Sequence, residues 1–160
     1  MDFNDRLKSA IDRGQKRQEA RQKDAAAAAM SEAEIKQLHT KYRLQLSEQI
    51  ETGLKRLADH FPGFRLETLY GDRGWGAAAT RDDLKFTRGT KREEFSRMEI
   101  TVRPYSPLQV LELQSRGTIR NREVFNRQYF DKLPEVDAAE YHRLIDNWIL
   151  EYAELFAAAE

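Results

Sequence analysis

From Ile35 onward, large apolar residues fall at Ile35, Leu38, Tyr42, Leu46, Ile50, Leu54, Leu57 and Phe61. The intervals are all three or four, which bracket the helical turn, so these side chains share one stripe of a helix. Ser31 and Glu34 in "SEAE" read as a capping box at its start, and Pro62-Gly63 as its stop. A helix of this length overhangs a small sheet and invites a second subunit. The strongest helical signal lies at the other end of the chain. Asp137, with Glu140 three residues on, opens a run in which Tyr141, Leu144, Ile145, Trp148, Ile149, Tyr152, Leu155 and Phe156 follow i, i+3, i+4, i+7 spacing.

Between these two stripes the period changes from 3.6 to 2. "FRLETLY" alternates from Phe64, "GDRG" turns the chain, and "WGAAATRDDL" reads as the returning strand. "LKFTRGTKREE" reads as a polar loop with Gly89 near its tip. "SRMEITVRP" sets Met98, Ile100 and Val102 on one face and Arg97, Glu99, Thr101 and Arg103 on the other. One covered and one wet face is antiparallel behaviour. After Pro104 and Pro107, "LQVLELQSRGTI" supplies another strand with Leu111 and Leu113 inward. In "IRNREVFNRQYF" the first part reads as strand or hairpin with Arg120-Asn121 near a turn, and the last part as a helical turn before Pro134. Two apolar helix stripes must cover something, and the apolar sheet face is the available surface. The expected fold class is therefore α+β. It is a two-layer sandwich with a long N-terminal helix, a three- to four-stranded antiparallel sheet and a C-terminal amphipathic helix.

Composition alters this picture mainly at the N-terminus. Residues 1–30 carry one short apolar face, Phe3, Leu7, Ala10 and Ile11, then "GQKRQEARQKD" and an alanine run. The residues favour helix, but nothing buries a face. The expectation is an N-terminal arm over 1–30, partly helical or disordered, and a single α+β domain over 31–160. The chain has no cysteine, which removes disulfides, thiolate metal sites and a cysteine nucleophile and fits a reducing, cytoplasmic setting. The first residues are too charged for a signal peptide, and no apolar run suffices for a membrane span. The net charge is zero, yet from Glu135 onward seven acids face one base, Arg143, so that segment is −6 and the remainder +6.

Signs of catalysis are few. His39, His60 and His142 stand in no metal-binding spacing, His142 and Asp146 read as a surface pair one helical turn apart, and Asp82-Asp83 as a strand end. "GDRGWG" runs opposite to the dinucleotide fingerprint and reads as a glycine turn. No metal and no cofactor is expected. The candidate binding residues are Arg116, Arg120, Asn121, Arg122 and Arg127, because guanidinium groups beside aromatics clamp carboxylates or stack on bases. Trp75 and Arg73 join them as a platform or pocket wall. Lys85, Arg88, Lys91 and Arg92 around Gly89 form an alternative phosphate-contacting set.

The element order is similar to that of the double-stranded RNA-binding domain and of the YbaB-like nucleoid proteins, a likeness of order alone. The former carries a lysine cluster at the start of its last helix, where this chain reads "VDAAEYHR". The favoured expectation is a non-enzymatic protein-interaction module, an oligomeric adaptor, scaffold or chaperone-like protein using an Arg-rich sheet edge and the arm. Its partner would be another protein or a second copy. Two alternatives remain beside it. One is a nucleic-acid binder using the arm and the basic loop, which the zero net charge disfavours, and the other a small-ligand binder or enzyme with a pocket near Trp75.

Overall fold

The computed structural model describes residues 2–159, apart from the side chains of residues 27–30. Those four side chains of the expected arm, and Met1, lie outside the described residues. The chain divides into two compact units, Met1–Gln37 and Leu38–Glu160. A single helix, α1, spans Phe3–His60. Its first turn is capped by Asp2, whose Oδ1 accepts from the Asp5 amide at 2.9 Å. Ser31 is therefore interior to the helix and does not start it. The flanking residues, alanine, glutamate and lysine among them, are good helix formers, and a capping motif cannot interrupt a helix that already runs through it.

In the first unit the described side chains from Phe3 to Ala26 are all exposed except Ser9, which is half-buried. In the second, Leu46, Ile50, Leu54 and Leu57 of α1 are buried. The helix stops where Gly63 takes φ +98° after Pro62, a combination that ends helices without steric cost.

Five strands follow: β1 (Arg65–Leu69), β2 (Trp75–Thr87), β3 (Thr90–Val102), β4 (Val110–Ile119) and β5 (Arg122–Lys132). They pair in chain order, all antiparallel, as a meander. A 3₁₀ turn at Leu133–Glu135 leads to α2, Ala138–Ala159, whose start is capped by Asp137 Oδ1 accepting from the Ala139 amide.

The sheet thus has five strands, not three to four: β5 is the additional one, while β2 and β3 are longer than expected. The expected polar loop at 84–94 is the paired end of β2 and β3, closed by Arg88-Gly89 with φ of 53° and 77°. Two consecutive positive φ values make a two-residue turn whose twist matches the strands it joins. The expected helical turn before Pro134 is the end of β5. Tyr129, Asp131 and Lys132 sit there opposite Leu113, Leu111 and Val110.

One face of the sheet carries the core. Ala77, Ala79, Met98, Ile100, Val102, Leu111, Leu113 and Phe125 are buried, together with Tyr141, Ile145, Trp148, Ile149, Tyr152 and Phe156 of α2. Packing is close enough that a Cβ on Gly53 of α1 would fall 2.5 Å from Ile149 Cδ1 of α2. Two tyrosines fix α2 to the backbone of β4. The Tyr141 hydroxyl donates to the Leu111 carbonyl at 2.9 Å, and that of Tyr152 donates to the Thr118 carbonyl at 2.8 Å. Thr118 lies at a register shift between β4 and β5, where the ladder is locally disturbed and a side-chain donor can take up a carbonyl. Burial pushes both phenols up from their usual range.

His39 is the buried ionisable group with the clearest consequence. It is 3 % exposed, its Nε2–H donates to the Arg103 carbonyl at 3.1 Å, and its ring meets Tyr105 edge-on. Desolvation holds its pKa below 6.5, with Arg43 adding to the effect and the carbonyl opposing it. A folded-state value below the unfolded one means that the unfolded chain takes up the proton first. Stability is then complete above about pH 6.5 and falls as pH drops through 6.5 toward the folded-state value. Urea midpoints at pH 7.5 and 5.5 should fall less in His39→Gln, which keeps a donor without a titrating ring. Equal losses in variant and parent would show that His39 does not carry the effect.

Candidate functional site

The sheet face away from the helices is built from cross-strand rows. Arg65, Thr80, Arg97 and Thr118 form one row, and Glu67, Ala78, Glu99, Arg116 and Asn126 the next. Leu69, Gly76, Thr101, Gln114 and Gln128 form the third. The middle rows rest on a flat floor. A Cβ on Gly76 would lie 2.0 Å from the Ile100 carbonyl oxygen, and Ala78 is fully covered by its neighbours. Long side chains from adjacent strands therefore converge over small ones.

Arg97 is the organising cation of this face. Its guanidinium reaches Glu99 at 3.0 Å, Glu67 at 3.3 Å and the Thr80 hydroxyl at 3.3 Å. Arg103 donates from Nη1 to the Arg73 carbonyl at 2.9 Å, which ties the "GDRG" turn to the end of β3. Arg73, Arg97, Arg103 and Arg116 then line one concavity of about 540 Å³ with Asp72, Glu99, Thr101 and Gln114. Arg116 stands directly opposite Glu99 across β3 and β4, but that carboxylate accepts both from Nε and from Nη2 of Arg97. Among the described residues neither the Arg73 nor the Arg116 guanidinium has an ion-pair or hydrogen-bond partner.

Apolar groups complete the same face. The large hydrophobic side chains that the strands leave exposed are Leu84, Phe86, Phe95 and Phe130. All four fall on the uncovered side, in register with Glu93, Lys91, Asp82 and Glu112 respectively. Charge over the whole face is balanced. Arg65, Arg73, Lys91, Arg97, Arg103, Arg116 and Lys132 stand against Glu67, Asp72, Asp82, Glu93, Glu99, Glu112 and Glu123, seven of each.

The expected binding residues do not form one group. Arg116 and Arg73 meet in the concavity, while Arg127 lies on the opposite, helix-covered side. There it holds Glu151 of α2 through two bonds of 2.6 and 2.8 Å and stacks 4.2 Å from the Phe125 ring centre. That bidentate pairing raises the Arg127 pKa and lowers that of Glu151. Trp75 also faces the helices, with the Arg43 guanidinium 4.2 Å above its ring. It opens β2 beside Val102, whereas Arg120 lies near Ser96, far along β3. Trp75 and Arg120 are thus not brought together.

Arg120 and Asn121 are the turn residues of the β4–β5 hairpin, at φ 49° and 70°. Asn121 bonds β3 three ways. Its amide donates to the Phe95 carbonyl at 2.8 Å, its Oδ1 accepts from the Phe95 amide at 2.9 Å, and its Nδ2 donates to the Glu93 carbonyl at 3.0 Å. It thereby extends the ladder beyond the end of β4. Arg120 lies 3.7 Å from the buried Glu94 carboxylate, and Lys85 lies 3.6 Å from the same oxygen. Arg122 is exposed. Of the alternative phosphate set, Lys85 and Arg92 are cross-strand neighbours on one side of the β2–β3 hairpin, Lys91 points to the other, and Arg88 occupies the turn.

Candidate chemistry elsewhere is accounted for by internal contacts. Asp82 pairs with Arg65 at 3.1 Å and Asp83 with Arg81 at 2.9 Å, on opposite faces of β2. His142 bonds to Gln49 of α1, which also donates to Asp146. Tyr129 is pushed up to about 12 by its hydrogen bond to Glu140, with burial and the nearby Asp131 adding to the effect. Among the described residues no group of three or more histidine and acidic side chains is placed to hold a metal ion, and no helix is long and apolar enough to cross a membrane.

No protein-family model, no curated protein and no solved structure matches this chain.

The contrast between Asn121 and Arg122 yields a direct prediction. Asn121→Ala removes two side-chain hydrogen bonds and a residue that tolerates positive φ, and should cost about 1–2 kcal/mol. Arg122→Ala should stay within about 0.5 kcal/mol. Urea denaturation of both variants measures this, and equal effects would contradict the assignment of Asn121 to the fold.

Proposed function

We propose that this protein is a non-enzymatic protein-interaction module whose uncovered sheet face is the contact surface. The observation that carries the reading is the common side taken by Leu84, Phe86, Phe95 and Phe130, with Arg73, Arg97 and Arg116 bordering Phe95. Aromatic residues and arginine are the types that anchor protein interfaces. A sheet face meant only for water gains nothing from grouping Leu84, Phe86 and Phe95 near the β2–β3 hairpin, while Phe130 stands apart on β5 at the other end of the same face. Phe3, Leu7 and Ile11, exposed on one side of the first unit's helix, supply a second contact in this reading.

A protein partner is favoured over a nucleic acid by charge. Seven bases against seven acids on the face provide no net field for a polyanion, whose binding rests on neutralising phosphates. The basic residues of the β2–β3 hairpin are divided between its two sides and do not line one groove.

Replacing Phe95 or Phe130 by a photo-crosslinking phenylalanine in the source cells tests the proposal. Discrete protein adducts are expected from these positions and none from Leu150, a position on α2 at least as exposed as either. An adduct of twice the chain mass would identify the partner as a second copy. Nuclease-sensitive adducts, or adducts formed equally at Leu150, would contradict the reading.

A further inference from the structure

Four guanidinium groups converge on the concavity between the "GDRG" turn and β4, and only two of them are satisfied internally. Arg97 is held by Glu67 and Glu99, and Arg103 by the Arg73 carbonyl. Arg73 and Arg116 remain, and the carboxylate directly opposite Arg116 is the one already engaged by Arg97. With Asp72, Glu99 and the Glu67 that holds Arg97 counted against four arginines, this part of an otherwise neutral face carries +1. Like charges gathered over a sheet floor repel one another, and bringing in an anion relieves that cost.

We infer that this concavity is a carboxylate-binding subsite, and that the partner segment docking on the face is acidic. The inference rests on the protein-binding reading of the face and specifies its chemistry. A guanidinium presents paired N–H donors that match the two oxygens of a carboxylate. Arg73 and Arg116 supply two such forks, while Thr101 and Gln114 on the floor offer further donors to a bound chain. Asp72 and Glu99 repel a segment of uniform high charge, so spaced carboxylates with intervening neutral residues fit better than a phosphate backbone. Phe95, bordering the adjoining hollow that Arg73, Arg97 and Arg116 also line, receives an apolar side chain of the same segment.

The test is fluorescence anisotropy of the full chain with a short labelled peptide carrying glutamate at alternate positions, at low ionic strength. A lysine counterpart and a labelled single-stranded oligonucleotide serve as the other probes. Saturable binding of the glutamate peptide is expected, weakened about tenfold or more by Arg73→Glu with Arg116→Glu and by the neutral pair Arg73→Gln with Arg116→Gln. The charge-reversed protein should prefer the lysine peptide. Absence of saturable glutamate-peptide binding, or equal binding by the variants, would overturn the inference. So would tighter binding of the oligonucleotide that the same substitutions abolish. If the peptide fails while Phe95 still forms protein adducts, only the acidic character of the partner is wrong. If both fail, the reading of the face falls with it.

Discussion

Everything in the second unit depends on burying one side of an antiparallel meander under two helices. A sheet of this kind has two faces whose residues alternate, so covering one face commits every second residue to the core and releases the others. The helices provide enough apolar area for one face only. Leu46, Ile50, Leu54 and Leu57 of α1 lie beside Tyr141, Ile145, Trp148, Tyr152 and Phe156 of α2, and the contact at Gly53 and Ile149 seals the seam between them. The fold thereby uses its hydrophobic stripes on one layer and leaves the second sheet face uncovered.

That division explains which arginines are structural and which are available. Arg127 of β5 faces the helices and is engaged by Glu151 of α2, and Arg43 of α1 reaches across the same layer to the Trp75 ring. Arg116 and Arg73 face outward, and the carboxylate directly opposite Arg116 is already engaged by Arg97. Residue type alone does not separate the two sets, because a strand sends neighbours to opposite sides and a hairpin reverses the count. The two-residue turn between Arg116 and Arg127 would by itself set them on one face, and the register shift beside Gly117 sends them to opposite faces.

Much of the fold was legible from periodicity. The stripes of α1 and α2 and the alternation at Met98, Ile100 and Val102 were readable because burial imposes a repeat that side chains must obey. The hairpin ends of β2 and β3 around Gly89 read as loop because they are rich in charge and glycine and the short alternation of Leu84 and Phe86 covers no core. Backbone pairing and the positive φ at Arg88 and Gly89 hold them instead. The end of β5 was obscured by Pro134, which signals a break but does not say what precedes it. Within the site, alternation along β3 puts Arg97 and Arg103 on the wet face. Their convergence with Arg73 and Arg116 is long-range, since it needs the β1–β2 turn folded against the end of β3. Trp75 was misleading for the same reason, as its side of the sheet is fixed by its pairing with Val102.

The central claim is that the two faces do different work, one holding the fold and the other free to bind. The most direct measurement is the equilibrium stability of single alanine substitutions at Phe86, Phe95 and Phe130, set against Phe125→Ala. Removing the buried Phe125 ring should cost about 3–5 kcal/mol, the exposed rings of Phe86 and Phe130 no more than about 0.5 kcal/mol each, and the partly covered ring of Phe95 about 1 kcal/mol. Losses at Phe86, Phe95 and Phe130 comparable to that at Phe125 would mean that the outward face is part of the core, and would contradict the account.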